Sequence, residues 1–204
     1  MKTAKKNKQQ KPLVRVLLVD PLRAKPSLLK RALIENDYQI VEQTTDITQI
    51  SNHVDLHKPD IIMISMDAPD TLILKKISEL RQQKPLPVIF FAEKDAPHMT
   101  QQVIKAGVNA FIVDDIQIQR LPSIVNIAIA RFNESQSLEQ ELNTVKTKLA
   151  DRKILERAKG ILMAQKSMSE EEAYNSLRKM AMDKGQSMAI VSENLIDAFK
   201  LLNH

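Results

Sequence analysis

Along residues 13–119, short apolar runs rich in β-branched side chains alternate with stretches in which apolar positions recur every three or four residues. The first pattern predicts buried strands and the second covering helices, and their alternation is that of a parallel sheet. Strands are expected at residues 14–19, 39–43, 61–65, 88–91 and 110–113. Leu28, Leu29, Ala32 and Leu33, and later Leu72, Ile73, Ile77 and Leu80, mark amphipathic helices between them. Pro59 and Pro87 stand just before the third and fourth strands, where a missing N–H costs no ladder bond. The expectation is a doubly wound α/β domain with a five-stranded parallel sheet. Its functional groups should lie at the carboxyl ends of the strands, which singles out Asp20, Ser65, Asp67, Ala92, Glu93, Asp114 and Asp115.

The pattern then changes. From Pro122, which suits the first turn of a helix, helical periodicity runs without Gly or Pro to Gly160 and on towards Lys166. Such a helix would span about 65 Å, and its length suggests a coiled coil. Leu138, Leu142, Val145 and Leu149 form one stripe, but the next heptad positions are Arg152 and Glu156, so the seam is short. At about 100° per residue, Ile154, Ala158, Ile161 and Leu162 point to the opposite side. The helix is therefore expected to change partner near residues 150–154, from a second subunit to the helices that follow. Ser169 and Glu172 read as a capping box and Gly185 as a C′ residue, giving a helix over residues 170–184. Ser187 would cap a last helix with Ile190, Val191, Leu195, Ile196 and Phe199 as its apolar face. The expected organisation is a disordered basic tail (1–12), an α/β domain (13–121), a linking coiled-coil helix (122–150) and a small three-helix domain (151–204).

Charge sharpens this division. The 30 Lys+Arg and 25 Asp+Glu sum to +5, yet the five lysines Lys2, Lys5, Lys6, Lys8 and Lys11 account for the whole excess. Residues 12–119 carry 12 basic and 14 acidic groups, whereas residues 146–166 carry seven basic groups against Asp151 and Glu156. Overall basicity thus says little about partners, and its local placement says more. The chain has no Cys, which excludes disulfides and thiolate metal sites and fits a reducing cytoplasm. His53, His57, His98 and His204 look scattered, and no metal ligand set or cofactor is expected. Three glycines, Gly107, Gly160 and Gly185, leave no phosphate-binding loop after the first strand. The apolar runs are far short of the roughly 18 residues of a membrane span.

The residues Arg157-Ala158-Lys159-Gly160-Ile161-Leu162-Met163, Ser169 to Tyr174 and Leu177-Arg178-Lys179-Met180-Ala181-Met182 resemble the ANTAR RNA-binding domain. The front half resembles a flavodoxin-like response-regulator receiver domain. Ala106-Gly107-Val108-Asn109-Ala110-Phe111 and Ala128-Ile129-Ala130-Arg131-Phe132 are similar to the NasT type of nitrate-responsive, AmiR-like antiterminators. The resemblance implies a non-enzymatic homodimer that binds paired hairpins in leader RNA, prevents a terminator from forming, and answers to a nitrate-sensor protein of the NasS type. A receiver needs an acidic pair, an acceptor Asp, a hydroxyl residue and a Lys. Here Asp20 is followed by Pro21, Ser65 stands at the acceptor position, Ala92 replaces the hydroxyl and Asp114 the Lys, while Asp67 lies nearby. Asp20 and Asp67 are a thin ligand set for Mg²⁺, and an unassisted Ser hydroxyl is a poor nucleophile. Aspartyl phosphorylation is not expected, and Asp20 and Asp67 read as solvated or capping groups.

For RNA, the candidates are Lys153, Arg157, Lys159, Gly160, Lys166, Tyr174, Arg178 and Lys179. Lys and Arg supply the salt-dependent phosphate attraction, and Tyr174 or an Arg plane could stack an unpaired base. Gly160 inside a helix costs about 1 kcal/mol relative to Ala, explained either by tight packing or by close approach of RNA. Met163, Met168, Met180 and Met182 are expected as adaptable core filling. The competing readings are a pseudo-receiver adaptor without RNA binding and a DNA-binding regulator, the latter lacking a recognisable base-reading helix.

Overall fold

The computed structural model describes residues 13–21, 28–94, 97–113 and 117–202. The expected tail and Asp114 and Asp115 lie outside the described residues. Contacts divide the chain into two units, residues 1–135 and 136–204.

In the first unit, strands β1 (Arg15–Val19), β2 (Gln39–Thr44), β3 (Ile61–Met66), β4 (Val88–Ala92) and β5 (Ala110–Val113) form one sheet in the order β2-β1-β3-β4-β5. All four pairings are parallel. Each strand lies within one residue of its expected bounds. Because successive strand residues face opposite sides, the sheet feeds two cores. Leu17, Val19, Ile62, Ile64 and Phe90 pack with helices α2 (Ile50–His57), α3 (Thr71–Gln83) and α4 (Thr100–Ala106). Val16, Leu18, Ile61, Met63 and Ile89 pack with α1 (Leu28–Glu35) and with Leu121, Val125 and Ala128. Asp70 caps α3 by accepting from the Ile73 N–H at 2.9 Å. Gly107 ends α4 at φ 98°, and a Cβ there would lie 2.6 Å from Arg81 Cδ, so both backbone and space demand glycine.

The long helix α5 runs unbroken over Leu121–Lys166. Ser167, at φ 51°, turns the chain out of it. Helix α6 (Glu170–Lys184) begins with the expected capping box between Ser169 and Glu172 and ends at Gly185 in the left-handed region. Helix α7 (Met188–Leu202) starts where Ser187 Oγ accepts from the Ile190 N–H at 3.2 Å. Ala158 and Leu162 of α5, Ala173, Leu177 and Ala181 of α6, and Val191 and Ile196 of α7 form the core of the second unit. Ile154, Ile161, Met168, Met180 and Leu195 pack around it.

Three expectations are corrected in this unit. Ile190 is exposed rather than part of the apolar face of α7, because Val191 and Ile196 set the buried direction. Met163 and Met182 are surface residues, the latter 73% exposed, so of these four methionines Met168 and Met180 fill core edges. Gly160 is not explained by packing: a Cβ added there meets nothing within 4 Å.

Candidate nucleic-acid interface and receiver pocket

The second unit carries every candidate for RNA contact, and helical geometry sorts them. On α5, Lys153, Arg157 and Gly160 fall on one exposed stripe, away from the buried Ala158 and Leu162. Lys153 and Arg157 make no ion pair among the described residues. The bare backbone at Gly160 beside them leaves room for close approach. On α6, the buried row Ala173, Leu177 and Ala181 leaves Tyr174, Arg178 and Met182, each one turn from the next, as an exposed row. Tyr174 is 41% exposed, enough to present a ring face. Lys166 and Lys179 are exposed as well.

Lys159 is different. It is only 6% exposed, and its ammonium lies 2.6 Å from Glu170 Oε1 and 2.9 Å from Glu156 Oε1. Hydrogen bonds to Glu170 and then Glu156 raise its pKa, while the same bond lowers that of Glu170. Of the residues expected to meet RNA, Lys159 is held in ion pairs within the chain. Lys159 is already neutralised by two carboxylates, and its chemistry here is to join α5 to the start of α6.

Along the N-terminal part of α5 in this unit, Leu138, Leu142, Val145 and Leu149 are each more than half exposed. Four apolar side chains in a 4-3-4 spacing on one exposed stripe have the form of a seam awaiting a facing helix.

In the first unit, the strand ends converge as the topology requires. Asp20 follows β1, its N–H donating to Thr44 O at 2.9 Å, and it is 5% exposed. Of the two expectations for Asp20, solvated or capping, burial removes the first. Asp67 is solvated, and Lys94 Nζ lies 3.3 Å from its Oδ2. The loops after β3 and β4 are joined by Glu93 N–H to Met66 O at 3.1 Å and Lys94 N–H to Asp67 O at 2.8 Å. Ser65 pairs with Phe91 and Met66 with Ala92, which is buried. Thus Ser65 brings a hydroxyl to the end of β3, Ala92 brings only a methyl group to the end of β4, and among the described residues neither Asp20 nor Asp67 belongs to a metal-ligand cluster of three or more His or acidic groups.

One set of residues escaped the sequence reading. His53 and His57 are a single helical turn apart on α2, and Glu42 of β2 comes to them, with His57 Nε2 3.3 Å from Glu42 Oε2. The histidines are not scattered, as expected, but half of them meet one carboxylate. Their i, i+4 spacing was the available signal. The partner strand was not readable from it.

The strand order and the strand-end pocket define a receiver-class α/β domain, and the capped α6 with α5 and α7 defines a small helical module. A response regulator receiver domain family matches residues 16–126, and an ANTAR domain family matches residues 143–196. The chain belongs to the response regulators and carries an ANTAR domain after its receiver domain. The transcriptional regulatory protein PdtaR of Mycobacterium tuberculosis (strain CDC 1551 / Oshkosh) is 28% identical over 169 residues, covering 83% of this chain and 82% of that protein. The nitrate regulatory protein of Klebsiella oxytoca is 36% identical over 83 residues, 41% of this chain but 21% of that protein. The signal receiver domain of a modulated diguanylate cyclase from Desulfovibrio desulfuricans G20 superposes with a TM-score of 0.53 at 17% identity, over 60% of this chain and 98% of that one. At that identity the likeness is one of fold. Among the described residues no helix is long and apolar enough to cross a membrane.

Proposed function

We propose that this chain is an RNA-binding, non-enzymatic regulator of transcription antitermination in the cytoplasm, acting as a homodimer on paired hairpins in leader RNA. Residues 13–121 act as a pseudo-receiver, 122–150 as the linking helix and 151–204 as the RNA-binding domain. The observation that carries the reading is the open stripe of Lys153, Arg157 and Gly160 within the segment that matches ANTAR. Unpaired basic groups beside exposed backbone suit phosphate contact, and Tyr174 and Arg178 on α6 supply planes on which a loop base could stack.

Control comes from a nitrate-sensor protein of the NasS type rather than from phosphate. This is supported by Ser65 near the end of β3, where the resemblance calls for an acceptor Asp, and by Ala92, which offers no hydroxyl, at the end of β4, and by the partial likeness to a nitrate regulatory protein. The exposed stripe Leu138, Leu142, Val145 and Leu149 supports the dimer.

The experiment is a gel shift with a two-hairpin leader RNA and with duplex DNA of the same sequence. Retention of the RNA but not the duplex supports the reading. Retention of neither favours a protein–protein adaptor, and equal retention of both leaves only nonspecific electrostatics.

A further inference from the structure

The pairing of β2 with β1 contains an irregularity with chemical consequences. Val16 pairs with Ile40 but Leu17 pairs with Glu42, so Val41 is an extra residue in β2. In an unbroken strand, Glu42 would share the face of Ile40, which packs in the core with α1. Paired with Leu17, it instead faces the α2 side, where Leu17 packs with Ile50 and Val54. A bulge re-aims a side chain in this way, and here it aims a carboxylate at the last two turns of α2.

That helix presents His53 and His57 on one side, their rings stacked at 5.9 Å with 23° between planes. One nitrogen from each ring and one Glu42 oxygen all lie within 4.8 Å of one another. All three residues are half-buried, and the Arg15 guanidinium donates to His57 O at 2.6 Å, which fixes the end of α2 against β1.

We propose that Glu42, His53 and His57 form a binding site for a borderline-soft divalent cation of the zinc, cobalt or nickel class. Two imidazoles and one carboxylate are the donor set such ions take. In a tetrahedral site with metal–ligand bonds near 2.1 Å the ligand atoms sit about 3.4 Å apart, so atoms that now lie within 4.8 Å of one another need to close by at most about 1.4 Å. The fourth position falls to water. The ion would clip the sheet-edge strand β2 to α2, at the far side of the sheet from β5. Such a clip gains stability from the free ion by mass action. This inference stands independently of RNA binding.

The test uses the full, untagged chain titrated with Co²⁺ and, separately, with Zn²⁺. One Co²⁺ per chain, with visible d–d absorption that Zn²⁺ displaces, is expected. So is a rise of several degrees in the receiver's melting temperature at a hundredfold excess of Zn²⁺ over its dissociation constant. His53→Ala and Glu42→Gln, each checked for native circular dichroism without metal, should abolish both signals. No absorption with the unaltered chain, or binding undiminished in both variants, would overturn the proposal.

Discussion

The Lys159 ammonium and the Glu170 carboxylate meet at 2.6 Å, joining the C-terminal end of α5 to the opening turn of α6. Glu170 sits at the positive end of α6, where a carboxylate is already favoured. Replacing Lys159 by Met should lower the thermal stability of the C-terminal unit at neutral pH. Glu170 has a lowered pKa in the fold, so its contribution is full above the ordinary carboxylate value and lost as pH falls through the lower folded one. Lys159 has a raised pKa, so its contribution is full below the ordinary lysine value and lost as pH rises through the higher folded one. Melting curves of the unaltered chain and of Lys159→Met should therefore differ at neutral pH and converge in acid. A constant difference across pH would mean that packing of the lysine stem, not the ion pair, is responsible.

Gly160→Ala should stabilise the unbound protein by about 1 kcal/mol, because the position is helical and an added methyl group meets nothing within 4 Å. If RNA lies against this backbone, the same variant loses affinity while gaining stability. Denaturant unfolding and RNA titration on one preparation separate the two effects.

Leu142→Lys should shift the chain from dimer to monomer in sedimentation equilibrium. Leu142 is the second of four exposed apolar residues in a 4-3-4 array and touches no core in its own chain. Stability of the receiver, read from its own melting transition, should stay unchanged. An unaltered association constant would exclude this stripe as the subunit seam.

Arg157→Ala removes an exposed guanidinium with no ion pair among the described residues, so the fold should keep its stability within about 0.5 kcal/mol. RNA affinity should fall, and the slope of log K against log salt should flatten by about one. Lys159→Met, by contrast, should leave that slope unaltered, since its charge is already matched within the chain.

Incubation with acetyl phosphate and Mg²⁺ should add no stable phosphate to the receiver unit. The proposed acceptor position holds Ser65 rather than an aspartate, and Ala92 on the neighbouring strand supplies no hydroxyl. A single phosphate mapped by mass spectrometry to the receiver would contradict control by a partner alone.

Much of the fold was legible because its signals are local. The unbroken apolar runs of β1 and β3, the Ser169 and Glu172 box and the left-handed Gly185 after α6 depend on a few neighbouring residues each. Candidate sites were legible only in part. Lys153, Arg157 and Lys159 were all named as RNA candidates from their type and segment, and nothing in that segment told Lys159 apart, because one of the two carboxylates that hold it is 11 residues away across a helix junction. The same limit applied to Met163 and Met182, whose types suggest a core that helix packing turned elsewhere.

The sequence by itself determined the elements, the order in which sheet and helices succeed one another, and the family, since these rest on periodicity, capping residues and contiguous motifs. Tertiary structure alone decided which charges are free and which are spent. Lys159 is buried by a neighbour helix, Asp20 by the strand beside it, and Glu42 is turned towards His53 and His57 by one extra residue in an edge strand. The physical reason is common to all three. A charge acquires its role from the groups within a few ångströms, and those groups come from segments whose separation along the chain says nothing of their distance in space.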